Sequence, residues 1–119
     1  MTTGEKQEMF ARSHQKLLEY AHSLSYGVRQ RELQRTPEMA ALYVKRGTGV
    51  ANSTHIDSLA IDMYLTVGGT LQWSGECYDK LGVFWKGLSE DAGHEHAWGG
   101  DFGSPYDPYH FSIEHKGVR

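Results

Sequence analysis

The sequence has a single cysteine, no long apolar run and no cluster of basic residues. A lone thiol, Cys77, cannot close an internal disulfide, which excludes the small secreted folds that disulfides frame. Twelve Lys and Arg residues against fifteen Asp and Glu residues give a formal net charge of −3. Without a basic stripe, we expect no nucleic acid as the main ligand. No stretch approaches the ~18 apolar residues of a spanning helix, so we expect no membrane insertion.

The beginning of the chain also lacks the pattern of an export signal. Residues 1–8 (MTTGEKQE) contain no apolar segment, so we expect a soluble protein without a secretion signal, located in the cytoplasm at synthesis. The 119 residues contain no repeat, low-complexity tract or interdomain linker. We therefore expect one domain over 1–119, and a monomer.

Three segments have the pattern of helices. Residues 5–24 repeat apolar side chains at the spacing of one helical face. Residues 37–46 follow a Thr-Pro start signal and precede a glycine that can cap the helix. Residues 75–89 carry a third apolar stripe, which includes Cys77. We therefore expect Cys77 to be a small buried residue and not a nucleophile.

The strongest strand signal lies at 58–66, where apolar and polar residues alternate and Asp62 falls on the polar side. A Gly-Gly pair after it predicts a hairpin return over 70–73. Weaker signals predict extended segments at 26–34 and 110–115. Together these elements predict an α+β fold, with a small antiparallel sheet and helices packed on its apolar face.

Two histidines and two aspartates have the spacing expected of a metal site. Asp62 follows His55 by seven residues, and Asp107 precedes His110 by three. Asp62 is either a solvent-facing residue or part of a site, because an unpaired buried carboxylate costs several kcal/mol. Two imidazoles and one carboxylate are a common ligand set for catalytic Zn²⁺, and a further carboxylate can take the proton of its water. We therefore predict that His55, Asp62 and His110 bind zinc. Asp107 is then the general base that takes the proton of the water.

The order of these residues resembles that of the M15 zinc peptidases. The family pattern S-x-H-x(6)-D, W-G-G and D-x-x-H-F is matched in order at 53–55 (STH), 60–62 (AID), 98–102 (WGGDF) and 107–111 (DPYHF). These enzymes include D-alanyl-D-alanine carboxypeptidase-like and L-alanyl-D-glutamate peptidases, and they share a fold with the Hedgehog signalling domain. The resemblance covers about residues 30–115 and is greatest to small single-domain bacteriophage endolysins.

The resemblance implies the same ligands and the same acid/base residue, and it adds two positions that contact substrate. Family members carry an arginine, followed by Thr or Ser, just before a helix, where it contacts the substrate or the developing oxyanion. Arg35 fits that description, with Arg29 and Arg31 as nearby alternatives. Ser53 stands where a family serine binds substrate, although it can equally be a hydroxyl that caps a loop.

The activity that the resemblance implies is zinc-dependent hydrolysis of an amide bond in the stem peptide of peptidoglycan, at L-alanyl-D-glutamate. The implied setting is a phage endolysin without a cell-wall-binding domain, which reaches the wall from the host cytoplasm once the membrane is permeabilised. The alternatives are a D-alanyl-D-alanine carboxypeptidase or dipeptidase, a non-catalytic zinc-binding module of the same fold, and a metal-free domain that binds a protein. Asp107 favours catalysis, because a structural zinc site needs no base.

Other polar and aromatic residues near the C-terminus have less specific interpretations. The HEH sequence at 94–96 could be a second metal site, but its Gly-containing surroundings favour a solvated loop. His115 is expected to point away from the strand face that carries His110. We expect Trp98 and Phe102 to wall the cleft, and the two glycines between them to meet a requirement of the backbone turn.

Overall fold

The computed structural model describes residues 1–31, 58–89, 96–103, 106–115 and 118–119. The helices and strands of these residues, in chain order, are α1 (Thr3–Ser23), β1 (Gly27–Arg31), β2 (Ala60–Val67), β3 (Thr70–Leu71), α2 (Glu76–Gly87), β4 (His96–Trp98) and β5 (His110–Ile113), with a 3₁₀ turn at Gly99–Asp101. The predicted helix at 37–46 lies outside these residues. Neither helix of the described part is long and apolar enough to cross a membrane.

The described strands form one antiparallel sheet in the order β1-β2-β5-β4, and β3 returns alongside the end of β2. Strand β2 alternates as predicted: Met63 is fully buried, whereas Asp62 and Tyr64 are half-buried. The hairpin turns at Gly68 and Gly69, whose φ angles of 57° and 83° are accessible to glycine without strain. The predicted strand and hairpin are therefore confirmed.

Helix α1 begins at a capping box. The Glu5 N–H donates to the Thr2 hydroxyl at 3.1 Å, and the Thr2 N–H donates to the Glu5 carboxylate at 3.0 Å. The hydrogen bonds from Thr2 hold the pKa of Glu5 below its ordinary value. Both helices lay their apolar sides on the same face of the sheet and share one core, made by Met9, Phe10, Leu17, Ala21, Leu59, Ile61, Met63, Leu65, Cys77, Tyr78, Leu81, Trp85, Trp98, Phe111 and Ile113.

Trp85 fixes α2 to β5. Its indole N–H donates to the Ser112 carbonyl at 3.1 Å, and its ring meets the Phe111 ring edge-on. Phe111 and Ile113 belong to the core under the helices, so the alternating His110 and Ser112 face the other side of the sheet. The α+β class is thus confirmed, with the helices of the described residues on one face of the sheet. The opposite face, here called the open face because neither of these helices packs on it, carries His110 and Ser112, both of which are buried.

Two residues of the core differ from the sequence-based expectation. His96 was expected in a solvated loop, but it lies in β4, is 2% exposed and has its Nε2 2.8 Å from the Ser13 hydroxyl of α1. Pairing of β4 with β5 brings it into the core, beside the ring of Trp85. Tyr78 was not in the predicted stripe, yet it is fully buried. Its hydroxyl donates to the Gln72 carbonyl, and burial raises its pKa to about 12.

Candidate metal centre

Asp62 and His110 meet on the open face of the sheet. They are directly opposite each other in the β2–β5 pair, and opposite residues of an antiparallel pair project to the same face. His110 Nδ1 lies 3.5 Å from Asp62 Oδ1, and only 8% and 18% of the two side chains are exposed. Ligand atoms about 2.1 Å from a tetrahedral zinc lie about 3.5 Å apart. This pair therefore already has the spacing of two ligands on one ion.

Asp107 adds a second carboxylate from the turn before β5. Its N–H donates to the Gly99 carbonyl at 3.1 Å, and its carbonyl accepts from the His110 N–H at 3.1 Å. One possible ligand atom from each of Asp62, Asp107 and His110 lies within 4.8 Å of the others. Two half-buried carboxylates this close repel each other, and a bound cation would offset that repulsion.

The turn that carries Asp107 and His110 is held by the Trp-Gly-Gly segment. The Trp98 indole N–H donates to the Pro108 carbonyl at 2.9 Å. A Cβ on Gly99 would lie 2.0 Å from the Asp107 carbonyl oxygen and 2.9 Å from the His110 Cβ. Glycine is needed here because two backbone segments approach closely. Trp98 is buried, so its predicted packing role is confirmed.

Aromatic residues flank the candidate centre. The Tyr64 and Tyr109 rings stack with centroids 4.6 Å apart. Burial is the main cause that raises the pKa of Tyr64; the charge of Asp62 raises it further, that of Arg31 lowers it, and that of Asp107 raises it. The charges of both carboxylates therefore raise the pKa of the same phenol, which indicates a locally negative region where a cation could bind. Tyr64 was missed in the sequence, although it stands two residues after Asp62 on the same strand.

The structure brings together three of the predicted site residues: Asp62, Asp107 and His110. Three others lie outside the described residues: His55, Arg35 and Ser53. Of the alternative arginines, Arg31 stands opposite Asp62 in the β1–β2 pair and Arg29 stands opposite Tyr64. The set that the structure shows thus contains one imidazole and two carboxylates.

Two further predictions about this region concern His115 and Phe102. His115 lies away from the centre, as expected: its ring nitrogens are 3.4 Å from the Thr3 hydroxyl and 3.4 Å from the Lys6 ammonium. Phe102 places its ring 5.6 Å from the His110 ring, so it borders the candidate centre. Both observations agree with the sequence-based interpretation.

Comparison with known proteins identifies a solved structure of similar fold. No family model matches the sequence, and no curated protein matches it. Among solved structures, the chain is similar to the L-Ala D-Glu endopeptidase ChiX of Serratia marcescens, with a TM-score of 0.72 and 20% sequence identity over 94% of this chain and 86% of that chain. The fold that the sequence resemblance implies is thus confirmed. This chain has the fold of an L-Ala D-Glu endopeptidase.

Proposed function

We propose that the protein is a zinc-dependent peptidoglycan peptidase that hydrolyses the L-alanyl-D-glutamate bond of the stem peptide. The observation that carries this proposal is the convergence of Asp62, Asp107 and His110 on the open face of the sheet. The likeness to a solved L-Ala D-Glu endopeptidase supports the choice of bond over D-alanyl-D-alanine. The same likeness supports an enzyme over a non-catalytic zinc-binding module.

The donor atoms fit a zinc ion. Imidazole nitrogen and carboxylate oxygen are both common zinc ligands, although other divalent ions accept the same set. Asp62 and His110 supply one of each at the spacing of two ligands on one ion. We propose that His55, which lies outside the described residues, is the third protein ligand, as the sequence resemblance implies.

Asp107 would be the acid/base residue. A bound zinc supplies a water of lowered pKa, about 7, and polarises the scissile carbonyl. The Asp107 carboxylate is half-buried and belongs to a turn whose backbone is hydrogen-bonded on both sides, to Gly99 and to His110. A carboxylate held in this way can accept a proton from the attacking water at one oxygen and return it to the leaving amine. Arg35 would donate a hydrogen bond to the developing oxyanion, and Ser53 would bind substrate.

The biological setting that we propose is bacteriophage lysis. Its support is the sequence resemblance to small single-domain endolysins, with the chain acting as one catalytic domain. The substrate would be the stem peptide in the periplasm, reached after the host membrane has been permeabilised. Binding of one peptidoglycan peptide needs no second protein chain, in keeping with the predicted monomer.

Mass analysis of digested peptidoglycan tests the proposal. The zinc-loaded protein is incubated with purified sacculi, with and without a chelator, and the new amino termini are identified. The expected product is a fragment with N-terminal D-glutamate that is absent when the chelator is present. Release of D-alanine would indicate the carboxypeptidase instead. No new amino terminus from zinc-loaded protein would contradict a peptidase and leave the non-catalytic zinc-binding module.

A further inference from the structure

Arg31 lies in the same row of the sheet as the candidate metal centre. It is directly opposite Asp62 in the β1–β2 pair, and Asp62 is directly opposite His110 in the β2–β5 pair. Opposite residues share a face, so a guanidinium, a carboxylate and an imidazole form one row across the open face. Neighbouring strands are about 4.8 Å apart. The arginine backbone is thus one strand away from Asp62 and two from His110.

Tyr64 connects Arg31 to the same centre. The Arg31 Cζ lies 5.7 Å from the centroid of the Tyr64 ring. Tyr64 is on the same strand as Asp62, two residues further along, so alternation places the two side chains on the same face. Arg31 is exposed, so a ligand that approaches the centre can reach it.

The chemistry of the proposed substrate identifies a partner for this guanidinium. The amine of the glutamate residue is part of the scissile bond, and only one of its two carboxyl groups carries the next residue of the stem peptide. The other carboxyl group remains a free carboxylate, a few bonds from the scissile nitrogen. A bound zinc ion would be offset by the charges of Asp62 and Asp107, so the centre itself would attract that carboxylate only weakly, and a neighbouring cation can supply the attraction. A planar guanidinium can also bind it through two N–H donors.

We infer that Arg31 binds the free carboxylate of the residue on the amine side of the scissile bond, and so selects glutamate there. This inference rests on the proposed function, because it assigns a specificity residue to that same site. It is separate from the role that the resemblance gives to Arg35, which concerns the oxyanion. The variant Arg31→Gln removes the charge and keeps a polar, hydrogen-bonding side chain, which is shorter than that of arginine.

The experiment compares two synthetic peptides that differ in this one group. One peptide contains D-glutamate after L-alanine, and the other contains the derivative in which the free carboxylate is a carboxamide. Cleavage by zinc-loaded wild-type protein, Arg31→Gln and Arg12→Gln is followed, and zinc content is measured for each protein. Arg12 is an exposed residue of α1, on the helix side of the sheet. Its variant makes the same change of charge away from the centre.

The expected result is a loss of about tenfold in kcat/KM for Arg31→Gln on the acidic peptide, mainly through KM, with less than about a twofold change on the carboxamide peptide. Arg12→Gln should match wild type on both peptides. An equal loss on both peptides, or no loss on either, would overturn the inference while the proposed function stands. Wild-type protein that holds zinc and cleaves neither peptide would overturn the proposed function and this inference together.

Discussion

Asp62 and His110 are directly opposite each other in the β2–β5 backbone pair, and their side chains therefore lie next to each other on the same face. The Met63 N–H donates to the Tyr109 carbonyl at 2.9 Å, which fixes the β2–β5 register at this point. A slip of one residue would move Asp62 to the core face, because side chains alternate along a strand. The separation of 3.5 Å between Asp62 Oδ1 and His110 Nδ1 is therefore a property of the fold.

Replacing Asp62 by Asn should weaken zinc binding by more than about 100-fold. Loss of an outer-shell partner alone typically costs about 10- to 100-fold in metal affinity, and a directly bound charged ligand should cost more. Competition with a chromogenic chelator measures the affinity. The matched control is Asp79→Asn, which removes an exposed carboxylate from the first turn of α2. Equal affinities for the two variants would exclude Asp62 as a ligand.

Replacing Asp107 by Asn should reduce kcat by about 10²- to 10⁴-fold, the usual contribution of general acid/base catalysis. Zinc affinity should change by less than about tenfold, because Asp107 is assigned to proton transfer and not to the metal. Single-turnover cleavage and chelator competition measure the two effects on the same sample. Full activity in this variant would refute the acid/base role. A parallel loss of zinc would make Asp107 a ligand.

Replacing Gly99 by Ala should damage both stability and the metal centre. The added Cβ would lie 2.0 Å from the Asp107 carbonyl oxygen, so the turn before β5 must move. Such overpacking costs about 1–3 kcal/mol of unfolding free energy. Gly103→Ala is the matched control, since a Cβ there meets no atom within 4 Å, and it should change stability by less than about 0.5 kcal/mol. Urea unfolding and zinc titration measure stability and zinc affinity for both variants. Equal stability and equal zinc affinity of the two variants would contradict the close approach of Gly99 to the Asp107 carbonyl.

His14 should make folding stability depend on pH. Burial on α1 lowers its pKa below the ordinary 6.5, and a hydrogen bond with Gln30 only partly opposes this. The unfolded chain therefore binds a proton first as pH falls, so the free energy of unfolding should decrease below about pH 6.5. Between pH 7.5 and 5.5, the free energy of unfolding should decrease less for His14→Gln than for wild type. The control variant His22→Gln, at an exposed position, should show the same decrease as wild type. Identical pH dependence in wild type and His14→Gln would contradict this assignment.

The elements that could be predicted from the sequence are those with strong local periodicity. The two-residue alternation of β2 placed Asp62 on the open face, and the helical stripe of α2 placed Cys77 in the core. The D-x-x-H spacing similarly indicated that Asp107 and His110 belong to one site, and the structure places them in one turn. In each case the pattern lies within a dozen residues, so local geometry is enough to place the side chains.

Features created by distant parts of the chain could not be predicted in this way. His96 is buried because α1 supplies Ser13, which is 83 positions earlier in the chain. Arg31 joins the row of the candidate centre only through the register of two strand pairs. Neither contact leaves a signal in the neighbouring sequence, since each depends on how separate elements pair and pack.

The location of a bound zinc tests the central claim most directly. Crystals grown with zinc would be measured at the zinc absorption edge, so that anomalous scattering identifies the ion without assumptions about the protein. The account predicts an anomalous peak about 2.0–2.2 Å from a ring nitrogen of His110 and a carboxylate oxygen of Asp62. A fully occupied zinc elsewhere, or no peak between these two side chains at saturating zinc, would contradict it.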